Sequence, residues 1–82
     1  MEKITFPESF EKRPHPMGEG TQWLLKDENG KDLISIVGGS IGLYGDGIKT
    51  FEMWDFKEEY PQGWMTMDEI EQHLWNNYNQ HA

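Results

Sequence analysis

The chain has 82 residues, 15 acids against 7 Lys+Arg, a formal net charge of −8 and no cysteine. A chain of this length supports one core, and a domain this small buries only roughly 60–65% of its unfolded surface. Disulfide staples and cysteine-ligated metals are excluded, and no basic excess exists to neutralise a phosphate backbone, so direct nucleic-acid binding is not expected.

Leu, Ile, Val and Phe supply 16 of the 82 residues, near the border at which charged chains stay unfolded. Four Trp, four Phe and three Tyr compensate. A buried ring removes roughly 150–250 Å² from water, at roughly 25 cal/mol per Å². The chain is therefore expected to fold as a single domain, 1–82. Rings beyond what a small core can hide become candidate anchors for a partner. The start, Met1 to Pro7, holds no apolar run of signal-peptide length, and the stretch Leu33 to Val37 is too short to span a bilayer. A cytoplasmic protein without a membrane partner is expected.

Residues 1–20 read as an extended arm. Pro7, Pro14 and Pro16 each bias the preceding residue away from helix, and Ile4 and Phe6 alternate with polar neighbours as in a short strand. Ile4, Phe6 and Phe10 either tie the arm across the domain or order on a partner. Residues 21–56 read as antiparallel strands. Thr21 to Lys26 and Asp32 to Val37 flank Asp27-Glu28-Asn29-Gly30, which suits a type I turn followed by a left-handed glycine. That register sets Lys26 opposite Asp32 and Asp27 opposite Lys31. It puts Trp23, Leu25, Leu33 and Val37 on one face, with Leu24, Ile34 and Ile36 on the other.

Residues 38–47 contain five glycines in ten positions. They form either a short strand over Ile41 to Tyr44 between turns or a mobile loop presenting Ile41, Leu43 and Tyr44. Residues 48–56 read as a third strand, with Phe51 and Met53 on one face and Trp54 and Phe56 on the other. Residues 57–65 form an acidic loop. Residues 66–80 form a capped helix. Thr66 and Glu69 make a capping box, Met65 and Ile70 a hydrophobic staple, and Met67, Ile70, Leu74 and Tyr78 a buried stripe. The expected fold is α+β: a three- or four-stranded antiparallel sheet with one C-terminal helix on one face. The arm or a partner then covers part of the other.

Chemical motifs are sparse. Gly42 to Gly47 runs in the reverse order to a dinucleotide fingerprint, and Gly47-Ile48-Lys49-Thr50 lacks P-loop contiguity. His15, His73 and His81 have no paired metal spacing, and Glu69 with His73 reads as a helical neighbour pair. Ser9, Ser35 and Ser40 lack a nucleophile-elbow context. No cofactor, metal or catalytic residue is assigned, and a small enzyme would need a concave pocket lined by acids. The acids are asymmetric: residues 46–82 carry eight against two bases. Glu52, Asp55, Glu58 and Glu59 crowd the third strand and the loop after it.

Ser35-Ile36-Val37-Gly38-Gly39, Leu43-Tyr44-Gly45-Asp46-Gly47, Thr50-Phe51-Glu52, Pro61-Gln62-Gly63-Trp64-Met65-Thr66 and Asp68-Glu69-Ile70 resemble small uncharacterised proteins encoded by tailed bacteriophages and prophages. The resemblance covers roughly residues 33–74 and consists mostly of turn and cap chemistry. It implies a phage accessory protein acting in a bacterial cytoplasm. Besides the small enzyme with an acidic site, two functions are weighed. In the first, a non-catalytic module binds a partner protein through Ile41, Leu43, Tyr44, Trp54 and Trp64. In the second, Glu52, Asp55, Glu58 and Glu59 stand in for phosphates and block a host nucleic-acid-binding nuclease, as an anti-CRISPR or anti-restriction protein does. Self-association through an uncovered sheet face is a third kind of contact to test.

Overall fold

The computed structural model describes residues 3–16, 19–39 and 45–79. The fold is α+β. Five strands, β1 (Glu11–Pro14), β2 (Thr21–Lys26), β3 (Asp32–Gly38), β4 (Thr50–Asp55) and β5 (Gln62–Thr66), form one antiparallel sheet in the order β1-β2-β3-β4-β5. The helix α1 (Met67–Leu74) follows β5 directly and continues into a π-helical turn, Trp75–Asn79.

The expected three or four strands are too few. The two extra strands are the edges, where sequence signals are weakest. β1 lies in the proline-rich arm and is exposed throughout, with Pro14 at its end. An edge strand tolerates proline because its outward N–H has no partner to lose. β5 lies where a loop is expected, and only Met65 of its five residues is buried. The expected strand around Ile4 and Phe6 does not form.

The hairpin register also differs from expectation. The turn is as read: Gly30 N–H donates to the Asp27 carbonyl (3.0 Å), Gly30 has a φ of 83°, and Lys26 pairs with Asp32. A bulge between Leu25 and Lys26 then shifts the register, so Leu25 faces Ile34 and Trp23 faces Ile36. The extra residue lets all four apolar side chains share one face. An unbulged hairpin would split them between core and solvent.

That face is the core. Trp23, Leu25, Ile34, Ile36, Phe51, Met53 and Met65 of the sheet pack with Ile70 and Leu74 of α1, and with Phe6 and Phe10 of the arm. Phe6 is the hub of the aromatic cluster. Its ring meets Phe10, Trp23 and Phe51 edge-on, at centroid separations of 5.3, 5.4 and 5.1 Å. The arm thus lies on the same side as the helix and leaves the opposite face uncovered by any other element among the described residues. Asn79 fastens it there: its side-chain amide accepts from Ile4 N–H and donates to Ile4 C=O, both at 2.7 Å.

The capping box forms as expected. Glu69 N–H donates to the Thr66 hydroxyl (3.2 Å), and Thr66 N–H donates to Glu69 Oε1 (3.0 Å). Thr66→Ala is expected to lower stability by about 1 kcal/mol in urea denaturation. The buried stripe is shorter than the spacing suggests, because Met67, the first helical residue after edge strand β5, is exposed. At the other end the helix opens into the π-turn, within a run holding three Asn, and this turn delivers Tyr78 and Asn79 to the sheet and the arm.

The glycine-rich connection is held by backbone packing at the residues described. A Cβ on Gly38 would stand 2.6 Å from Gly47 Cα, and one on Gly45 would stand 2.5 Å from Phe51 Cα. Asp46 makes the turn into β4, its Oδ1 accepting from Ile48, Lys49 and Thr50 N–H. Those three donors pull its carboxyl down to about 2. Residues 40–44 lie outside the described residues.

Candidate functional site

The uncovered face of the sheet is built from two rows of side chains that alternate with the core rows. One row crosses Glu11, Leu24, Ser35 and Trp54, and the next crosses Arg13, Gln22, Val37 and Glu52. A polar relay links the β1 side: Arg13 Nε donates to Gln22 Oε1, and Gln22 Nε2 donates to Ser35 Oγ, each at 2.9 Å. Val37 is the apolar floor, and Leu24 is buried beside it.

A groove of about 350 Å³ runs over these rows, with Gln22, Ser35, Val37, Glu52 and Trp54 along it. His15 and Pro16 border it from the arm, and Pro61 from the loop before β5. Trp54 is its wall. The ring is 40% exposed yet fixed on two sides. Its indole N–H donates to the Glu58 carbonyl (3.2 Å), and the Phe56 ring lies beside it, tilted by 56° with centroids 5.0 Å apart. Glu52 lies two residues along the same strand, half-buried, its carboxylate with no hydrogen bond or ion pair among the described residues. Opposite Glu52, β5 bulges: Phe51 faces Met65 and Met53 faces Gln62, so Gly63 and Trp64 share one partner position. Trp64 takes a φ of 56° there and is 61% exposed. Left-handed backbone in a bulky residue is unfavourable and clusters where function needs it.

Of the anchors expected from sequence, Trp54 and Trp64 are exposed on neighbouring strands. Ile41, Leu43 and Tyr44 lie outside the described residues. Gln22 and Pro61 carry no site signal in the sequence, and Ser35 reads there only as a nucleophile candidate without an elbow. The only available signal was two polar residues interrupting apolar strands, and the unbulged register hid their pairing.

The acidic set is broken up. Glu52 opens on the groove and Glu59 is exposed. Glu58 is half-buried, its Oε1 3.8 Å from His73 Nε2. Asp55 was expected on the acidic surface and is instead 2% exposed. As the last β4 residue on the core side, it faces Ile34 and meets the end of the helix. Its Oδ2 lies 2.8 Å from His73 Nε2 and accepts from the Tyr78 hydroxyl at 3.0 Å, while Oδ1 accepts from Lys57 N–H. Lys57 Nζ stands 3.9 Å away and sits over the Tyr78 ring. Burial raises the Asp55 carboxyl, but the His73, Lys57 and Tyr78 hydrogen bonds and the Lys57 charge outweigh it and hold the carboxyl below its ordinary value. Burial, then Asp55 itself, push the Tyr78 phenol well above its ordinary value.

Asp55, Glu58 and His73 bring one ligand atom each within 4.8 Å, so they are the described residues that could hold a metal ion. The shared Asp55 oxygen already serves His73, Tyr78 and Lys57, and an ammonium this close opposes a second cation. The cluster acts as a clamp of the helix on β4. Among the described residues, no helix is long and apolar enough to cross a membrane.

No protein-family model matches the chain, and no curated protein or solved structure matches it.

Proposed function

We propose that the protein is a small non-catalytic binding module that docks a partner protein on the helix-free face of its sheet. The observation that carries this reading is Trp54: a large ring, exposed yet immobilised by its own N–H bond and by Phe56, beside a groove with an apolar floor. A pre-fixed aromatic side chain loses little entropy on binding and is the kind of residue that dominates interface energetics. Trp64 supports it from the adjacent strand. The resemblance of residues 33–74 to phage-encoded proteins supports a bacterial host protein as the partner and the host cytoplasm as the place.

Trp54→Ala is expected to weaken partner binding by at least about 2 kcal/mol while the domain stays folded. Affinity capture from a bacterial lysate, with wild type and variant side by side and circular dichroism as the fold check, tests this. Equal capture by the folded variant would remove Trp54 as the anchor.

A second reading, an inhibitor of a host nucleic-acid-binding nuclease, is supported by the charge of −8 and by the exposed position of Glu59 beside Glu58. It is separated by charge reversal at Glu58 and Glu59. Capture that is lost in that double variant and at high salt, yet kept in Trp54→Ala, selects the acidic surface.

A further inference from the structure

We propose that the groove on the uncovered sheet face takes an arginine side chain from a basic segment of the partner, with the guanidinium flat on Trp54 and paired to Glu52. The inference rests on the reading of this face as the docking face and names the chemistry that it selects.

Three features point to this occupant. First, Glu52 is a half-buried carboxylate on the groove with no cation on it among the described residues. Three lysines are engaged elsewhere: Lys26 is 3.7 Å from Glu11, Lys57 lies on Asp55 and Tyr78, and Lys3 lies over Trp75. Second, Trp54 sits two residues from Glu52 on the same strand face, at a spacing of roughly 7 Å. A guanidinium is the one common side-chain group that both stacks on an aromatic plane and pairs with a carboxylate through its edge. Trp54 is already turned by its bond to the Glu58 carbonyl, so the plane is fixed before the ligand arrives. Third, charge selects the sign. The chain carries −8, so a basic segment is drawn in and a second copy of the same chain is repelled.

The same face shows how a guanidinium sits on it. Arg13, at the β1 side, is held through Nε by Gln22, which is in turn held by Ser35. Arg13 and Glu52 lie at opposite ends of one cross-sheet row, three strand spacings or roughly 14 Å apart. The sheet face is therefore positive at its β1 edge, beyond the groove, and negative at Glu52 within it. An entering cation is directed to the Glu52 and Trp54 end, and an acidic residue beside it in the partner is accommodated near Arg13.

The test uses the full ¹⁵N-labelled chain and four capped tripeptides, Gly-Xaa-Gly with arginine, citrulline, lysine or glutamate at the centre. The Trp54 indole N–H resonance is the readout. The arginine peptide is expected to shift it saturably, and citrulline, which keeps the shape and loses the charge, to bind at least about tenfold more weakly. Lysine is expected between them and glutamate not at all. Glu52→Gln, folded by its own spectrum, should bring arginine down to the citrulline level. Equal binding of arginine and citrulline, or no saturable shift, overturns the proposal. So does an unchanged response in Glu52→Gln, or a Trp54 shift that grows with protein concentration and no peptide, which would put a second copy in the groove. If arginine specificity fails while capture still depends on Trp54, the docking face stands and only its ligand is wrong. If capture is independent of Trp54, the face itself is wrong.

Discussion

Asp55→Ala is expected to destabilise the domain by about 3 kcal/mol, the loss typical of removing one partner from a buried charged network. Domains of this size hold roughly 4–12 kcal/mol in total, so the urea midpoint should fall by a large fraction. The reason is geometric. One buried oxygen receives His73 and Tyr78 from the end of the helix, and the other receives the Lys57 backbone. Without it, three donors lose their acceptor at the junction of β4 and the helix. Asp55→Asn keeps the shape but presents an amide where an acceptor is needed, so an intermediate loss is expected.

The same residue sets an acid limb. Its carboxyl titrates below the ordinary 3.8, so the folded state binds the proton less readily than the unfolded chain. The stability it supplies is complete above that value and drains away as the pH falls through the lower, folded value. Comparing urea midpoints at pH 7 and near pH 3 should show wild type losing more than Asp55→Asn. Tyr78 works in the opposite sense: its raised phenol donates to Asp55 while protonated, so its contribution is complete below 10.0 and is lost as the pH rises beyond it. A wild-type acid limb no steeper than that of the variants would show that the clamp does not hold the helix.

Gly45→Ala is expected to cost about 3 kcal/mol, the upper end of what overpacking costs, because the contact is with backbone. The new methyl would stand 2.5, 2.6 and 2.8 Å from the Phe51 Cα, N and C atoms, and none of these can swing aside as a flexible side chain can. Phe51 is packed edge-on against Phe6 and Trp23, so moving it disturbs the aromatic cluster. Gly30→Ala is the control. Its Cβ meets nothing within 4 Å, and only the φ of 83° opposes it, a cost of about 1–2 kcal/mol. Thermal melts of the two variants should separate close backbone approach from conformational preference. Equal losses would mean that the approach at Gly45 relaxes freely.

Elements with a strong local signature were legible in the sequence. The capping box at Thr66 and Glu69, the Asp27 to Gly30 turn and the two faces of β4 each follow from neighbouring residues alone, and all three are found. What was missed depends on partners far away in the chain. β1 and β5 are strands because β2 and β4 offer them an edge, and neither has an apolar alternation of its own. The bulge after Leu25 exists because Trp23, Leu25, Ile34 and Ile36 must face Phe6 and Leu74 together, a requirement invisible within the hairpin. Asp55 reads as one more surface acid until Tyr78 and His73 are folded over it. The candidate site was half legible for the same reason. Trp54 and Glu52 alternate correctly on their strand, whereas Gln22 and Ser35 join them only through the bulged register.

The amide of Asn79 closing on both backbone groups of Ile4 has a topological consequence. Residues near the two extremities of the described chain stand side by side, so a short linker could join them into a ring. Opening that ring at the exposed Asn29 and Gly30 turn would create a circular permutant whose five strands keep their neighbours, with both new ends far along the sequence from the clasp.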